Sequence, residues 1–122
     1  MNKSVRRAVH GKYAARCAYC GKKIEYEDMQ IDHIAPKGRG GTDEISNLNP
    51  ACRRCNFYKS TLTMEKFRSR IKTLHERVMK NYTSKVAEDY GIITVKSWDG
   101  RFYFEKVEIE SREAGQCLDE FT

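Results

Sequence analysis

Two cysteine pairs constrain this chain more than any other feature of it. Cys17-Ala18-Tyr19-Cys20 and Cys52-Arg53-Arg54-Cys55 are both Cys-x-x-Cys, and 31 residues lie between them. Four thiolates from two such pairs close a tetrahedral site around a soft cation, which leaves no open position for chemistry and makes the ion structural. The interval exceeds the usual zinc-ribbon gap and has room for a β-hairpin whose base the metal would staple. Zinc is the expected occupant, with an iron–sulfur cluster or a redox pair as the competing readings. No charged start leads into an apolar run, so a cytoplasmic, reducing setting is expected, where paired cysteines hold metal and not disulfides. No stretch approaches the ~20 apolar residues of a membrane span. Cys117 is left over, and reads as a spare thiol near a loose tail.

Between the pairs lie Asp32-His33-Ile34-Ala35-Pro36, the run Gly38-Arg39-Gly40-Gly41, and Asn47-Leu48. Met29 to Ile34 reads as a strand, Pro36 and the glycines break it, and Asn47-Leu48 opens a second extended piece. Pro50 keeps Asn49 out of helical geometry. Gly21 lets the chain turn back so that both sulfurs of the first pair face one ion. The glycine run is not a P-loop, because no Gly-Lys-Ser/Thr leads into a helix. Asp32 and His33 would point to opposite faces of a strand, and serve one site only if the strand ends there and the chain curls. Asn56 and Lys59 are three apart on a helix starting near Cys55 and share a face. A carboxylate, an amide oxygen, an imidazole and an ammonium brought together suit metal-assisted phosphodiester hydrolysis.

Charge points the same way. The net charge is +6, but residues 1–80 carry 18 basic against 8 acidic side chains, and residues 81–122 carry 5 against 9. Positive charge therefore gathers around the cysteine-framed stretch, as a polyanionic partner requires. Val5, Val9 and Tyr13 are spaced for one face of a short N-terminal helix. Thr63 followed by Glu65 starts a longer helix with a stripe at Phe67, Ile71, Leu74, Val78 and Tyr82. Lys66, Arg68, Arg70, Lys72 and Arg77 occupy its other face, as a solvated surface or a phosphate-contacting flank. Ile92 to Lys96 and Phe102 to Val107 flank Asp99-Gly100, which predicts a β-hairpin, with a loose tail after Glu110. Its acidic surroundings make this hairpin a packing surface, or the contact of a homodimer or larger nuclease assembly. His10 and His75 read as surface residues.

The order Cys-x-x-Cys, Asp-His-Ile-x-Pro, Gly-Gly-Thr, Asn-Leu, Cys-x-x-Cys-Asn, then Lys resembles the HNH endonucleases, and among them the zinc-stapled ββα-metal nucleases. The resemblance covers roughly residues 5–70 and does not reach the C-terminal hairpin. It implies an α+β fold: a ββα-metal core braced by a four-cysteine zinc site, flanked by helices and by that hairpin. The whole is expected as one domain, with residues 1–82 as the nuclease core and its flanking helices, and 83–122 as hairpin and tail.

The resemblance also implies roles. His33 is the general base that deprotonates water, for which imidazole suits because it can be neutral at pH 7. Asp32 and Asn56 hold the catalytic divalent ion, and Asn47 ties the loop and orients the imidazole. Asn56 stands where the family often has histidine, so the chain is an H-N-N variant, which favours an oxygen-preferring ion such as Mg²⁺ or Mn²⁺. Lys59 or Arg39 steadies the charge on the phosphate, and Arg6, Arg7, Arg39, Arg53 and Arg54 are the expected DNA contacts. The implied activity is metal-dependent cleavage of DNA. The competing reading is a non-catalytic zinc-stabilised module that binds nucleic acid with strong salt dependence.

Overall fold

The computed structural model describes residues 2–120, with side chains through Glu113; Cys117 thus lies outside the described side chains. The helices are α1 (Lys3–Gly11), α2 (Arg53–Lys59), α3 (Met64–Lys80), α4 (Tyr82–Asp89) and α5 (Tyr103–Glu120), and the strands β1 (Gln30–His33) and β2 (Leu48–Ala51). The fold class is α+β. The chain divides into two compact units, Met1–Thr61 with Arg101–Thr122, and Leu62–Gly100.

In the first unit, α1 begins at Asn2, whose side chain accepts from the Val5 N–H, and it buries Val9. Such a cap contributes about 1 kcal/mol. Beyond the helix end at Gly11, Ala14 and Ala15 at positive φ turn the chain into the first cysteine pair. Gly21, at φ +82°, reverses the chain after Cys20, as its place in the sequence predicts. Strands β1 and β2 pair antiparallel with Gln30 opposite Ala51, Ile31 opposite Pro50, Asp32 opposite Asn49 and His33 opposite Leu48. The chain then passes directly into α2, so the order is the expected strand, loop, strand, helix. Gly41 could carry no side chain, because a Cβ there would lie 1.7 Å from the Ala35 carbonyl oxygen.

The second unit starts where Thr63 and Glu65 place it: the Thr63 side chain accepts from the Lys66 N–H. The apolar stripe does not run unbroken to Tyr82. Asn81 stops α3 and caps α4 by accepting from the Ser84 N–H, and Tyr82 is exposed. On the basic face of α3, Arg68 donates to the Gly100 carbonyl.

The C-terminal β-hairpin is not formed. Residues 93–102 are mostly irregular, and the second predicted strand is the start of α5, which continues to Glu120 and replaces the expected loose tail. Gly100 does turn, at φ +84°, but it leads into a helix. The first N–H groups of a helix need partners that the helix itself cannot supply. Here the Tyr103 and Phe104 N–H groups donate to the Tyr19 and Ala18 carbonyls, and the Glu105 carboxylate accepts from the Phe102 N–H. Phe102, 2% exposed, meets the Tyr19 ring edge-on at 5.4 Å. The aromatic alternation that suggests a strand is the anchor of a helix docked on the first cysteine pair. A homodimer contact through a hairpin falls with it.

Candidate functional site

The four paired cysteines come together as their spacing requires. Their sulfurs lie within 4.8 Å of one another, and Cys20 and Cys52 are 3.9 Å apart. A disulfide needs about 2.05 Å, whereas tetrahedral thiolates at ~2.3 Å from a zinc-sized ion sit about 3.8 Å apart. Backbone N–H groups of Tyr19 and Cys55 point at the Cys17 and Cys52 sulfurs. The sulfurs also compete for protons: hydrogen bonds with Cys20 and then Cys55 drive the Cys17 thiol far down, while Cys17 drives those of Cys55 and Cys20 up. Four sulfur donors at these separations fit a single metal ion.

Tyr19, inside the first pair, carries this brace into the second site. Its hydroxyl donates to Asp32 Oδ2 in a short hydrogen bond and receives one from the buried Asn49 side chain at 3.5 Å. Burial first, and the Asp32 charge second, push the Tyr19 hydroxyl far above its ordinary range, so it stays a donor. Lys59, fully buried, also places Nζ 3.1 Å from Asp32 Oδ2 and donates to the His33 carbonyl at 3.0 Å. Burial pushes the Asp32 carboxyl above its usual range, and Tyr19 and Lys59 pull it back without cancelling that.

His33 is the last residue of β1, and there the chain curls. Asp32, His33 and Asn56 line one open cleft of ≈ 760 Å³, with Lys37, Gly38, Arg39, Ser60 and Thr61 among its other walls. The hard oxygens of Asp32 and Asn56 suit a magnesium-like ion in such a place. Asn47 ties the loop: Nδ2 donates to the Thr42 and Ala35 carbonyls at 2.8 and 3.1 Å, and Oδ1 accepts from the Ala35 N–H at 2.9 Å. The partner of the imidazole is Asp43, with Oδ1 2.8 Å from His33 Nε2, and Lys37 Nζ holds the other carboxylate oxygen at 2.9 Å.

The arginines divide. Arg39 is on the cleft wall, and Arg53 and Arg54 line a neighbouring hollow that also reaches Asn56. Arg7 is exposed on α1. Arg6 instead turns inward, donating to the Tyr26 and Met29 carbonyls at 2.8 Å each and stacking on the Tyr26 ring. His10, expected at the surface, is half-buried with Nε2 2.8 Å from the Ile24 carbonyl. Tyr19, Lys37 and Asp43 are the site residues that sequence reasoning missed. Asp43 follows the Gly-Gly-Thr motif directly and Tyr19 lies within a Cys-x-x-Cys, so both had a positional signal.

A model of the family described as HNH endonuclease matches residues 17–61, from the first cysteine through the cleft wall. Over that span the chain is similar to the HNH endonucleases. Over 45 residues the chain is 45% identical to the CRISPR-associated endonuclease Cas9 of Corynebacterium diphtheriae, covering 36% of this chain and 4% of that protein. Over 111 residues it is 29% identical to the SPbeta prophage-derived protein YoqL of Bacillus subtilis, covering 82% of this chain and 42% of that one. The chain therefore spans less than half the length of either. The crystal structure of the type II-C Cas9 from Actinomyces naeslundii aligns with 62% of this chain and 10% of its own, at 31% identity and a TM-score of 0.49.

Proposed function

We propose that this chain is a metal-dependent DNA endonuclease whose HNH segment hydrolyses a phosphodiester with His33 as general base. The observation that carries the reading is the convergence of Asp32, His33 and Asn56 on one cleft walled by Lys37 and Arg39. Asp32 and Asn56 would hold a divalent ion, Mg²⁺ or Mn²⁺, which when bound supplies Lewis-acid stabilisation of phosphate charge. Cys17, Cys20, Cys52 and Cys55 would hold a structural Zn²⁺ that keeps α2 against the β1–β2 hairpin.

The residues' own parts follow from their contacts. A carboxylate only accepts hydrogen bonds, so the Asp43 contact puts the proton of a neutral His33 ring on Nε2 and leaves Nδ1 as the basic nitrogen. Nδ1 takes the proton of the attacking water, and the carboxylate of Asp43 stabilises the imidazolium that results. Asn47 keeps the loop that carries Asp43 closed. Lys59 balances Asp32 and fixes the end of β1 through the His33 carbonyl, while Arg39, on the cleft wall, would meet the phosphate.

The test is relaxation and linearisation of supercoiled plasmid by the zinc-loaded chain with Mg²⁺, Mn²⁺ or neither, beside His33→Ala. Metal-dependent cutting that the folded variant loses supports the reading. Salt-sensitive DNA binding without cutting under any divalent ion would replace it with the non-catalytic binding module.

A further inference from the structure

Phe57 is the large apolar side chain of α2 that the fold leaves uncovered, at 86% exposure. A single exposed apolar side chain is common on protein surfaces, and what sets Phe57 apart is the set of groups beside it. The charges around it identify the partner. Arg53 and Arg54 lie four and three residues before Phe57, on the same helical face, and with Lys22 and Gln30 they line one hollow with the ring. That hollow meets the cleft of Asp32 and His33 at Asn56, which lines both. Three cations around a ring suit a polymer that alternates phosphates with flat apolar faces and disfavour a second copy of this basic surface.

We infer that Phe57 is a stacking platform for one nucleobase of the strand whose phosphate lies at Asn56, with Arg53, Arg54 and Lys22 on the flanking phosphates. Bases inside a duplex already stack on their neighbours, so the ring takes only a base with an open face, and the site favours single-stranded or frayed DNA. The inference rests on the nuclease reading for where the phosphate sits, but binding tests it without cleavage.

The test measures fluorescence anisotropy of the full zinc-loaded chain, without added divalent ion, on a fluorescein-labelled 12-nucleotide single strand and on a 12-base-pair duplex. Phe57→Ala weakens single-strand binding about tenfold and leaves duplex binding within twofold. Phe57→Trp restores single-strand binding, and Phe57→Leu, which keeps apolar area without a π-face, does not. Because the position is exposed, all three variants should stay folded, and circular dichroism checks this. Equal loss on both DNAs, full binding by Phe57→Leu, or a concentration-dependent dimer that Phe57→Ala abolishes would each overturn the inference. If the variants behave as expected while the chain cuts nothing, the stacking platform stands and the nuclease reading fails. If the chain cuts DNA and Phe57→Ala binds like wild type, the reverse holds.

Discussion

The His33 ring and the Asp43 carboxylate meet across ten positions of chain, with Nε2 2.8 Å from Oδ1. In the proposed mechanism this carboxylate holds the base in one tautomer. Asp43→Asn, whose amide can donate to the ring in place of accepting from it, should lower kcat at least about tenfold, a part of the ~10²–10⁴ that general-base catalysis supplies. KM for DNA should hold within about twofold, since general-base contributions arise in the chemical step. Steady-state cleavage kinetics of Asp43→Asn and Asp43→Glu, with recovery in the latter, check this; an unchanged kcat removes Asp43 from the base.

The same carboxyl sets an acid dependence. The hydrogen bond from His33 first, and that from Lys37 next, hold the Asp43 carboxyl below its ordinary range. Its folded pKa is thus lower than its unfolded one, so the stabilisation is complete above the ordinary carboxylate range and fades as pH falls through the depressed value. Urea midpoints of wild type and Asp43→Asn should differ by a constant amount at neutral pH and converge in acid. Curves that stay parallel throughout would mean the contact adds nothing to the fold.

Lys59 and Asp32 form an ion pair with side-chain exposures of 0% and 5%. Removing one partner of a buried pair leaves an uncompensated charge, so Lys59→Met should destabilise by about 3–5 kcal/mol. Adding Asp32→Asn to it should return part of that loss. Denaturant titration of both singles and the double decides; additive losses would show that the two side chains are not coupled.

The sulfur cluster joins α2, the hairpin and the pair on which α5 rests. Stripping its metal should therefore loosen more than the knuckle. Cys20→Ser, or a strong chelator, should lower Tm by about 10 °C or more and weaken the near-ultraviolet signal of Tyr19 and Phe102. Native mass spectrometry should find one zinc per chain before treatment and none after. An unchanged Tm with the metal gone would make the cluster dispensable.

The features legible in the sequence are those whose chemistry is local or repeats at fixed spacing. Two Cys-x-x-Cys pairs set a metal frame, Asp-His ends a strand, glycines open a loop, and Thr63 caps a helix. The predicted C-terminal hairpin fails for the opposite reason. Phe102 to Val107 alternates like a strand, and what makes it a helix is a set of carbonyl acceptors at Ala18 and Tyr19, some 85 residues away along the chain. Arg6 and Lys12 show the same limit: as letters they are basic charge for a polyanion, but in the fold Arg6 holds two carbonyls and Lys12 donates to those of Ile45 and Leu48 at 2.9 Å each.

By itself, then, the sequence determined the identity of the groups: four soft donors for one ion, two hard oxygen donors and an imidazole for another place. Tertiary structure decided the company they keep. Tyr19 and Lys59 both reach Asp32, and Asp43 reaches His33, only because the hairpin, α2 and the loop are folded onto one another. Ligand type is a property of a side chain, while the partner of a charge is a property of distance, and distances between remote residues exist only once the chain has closed.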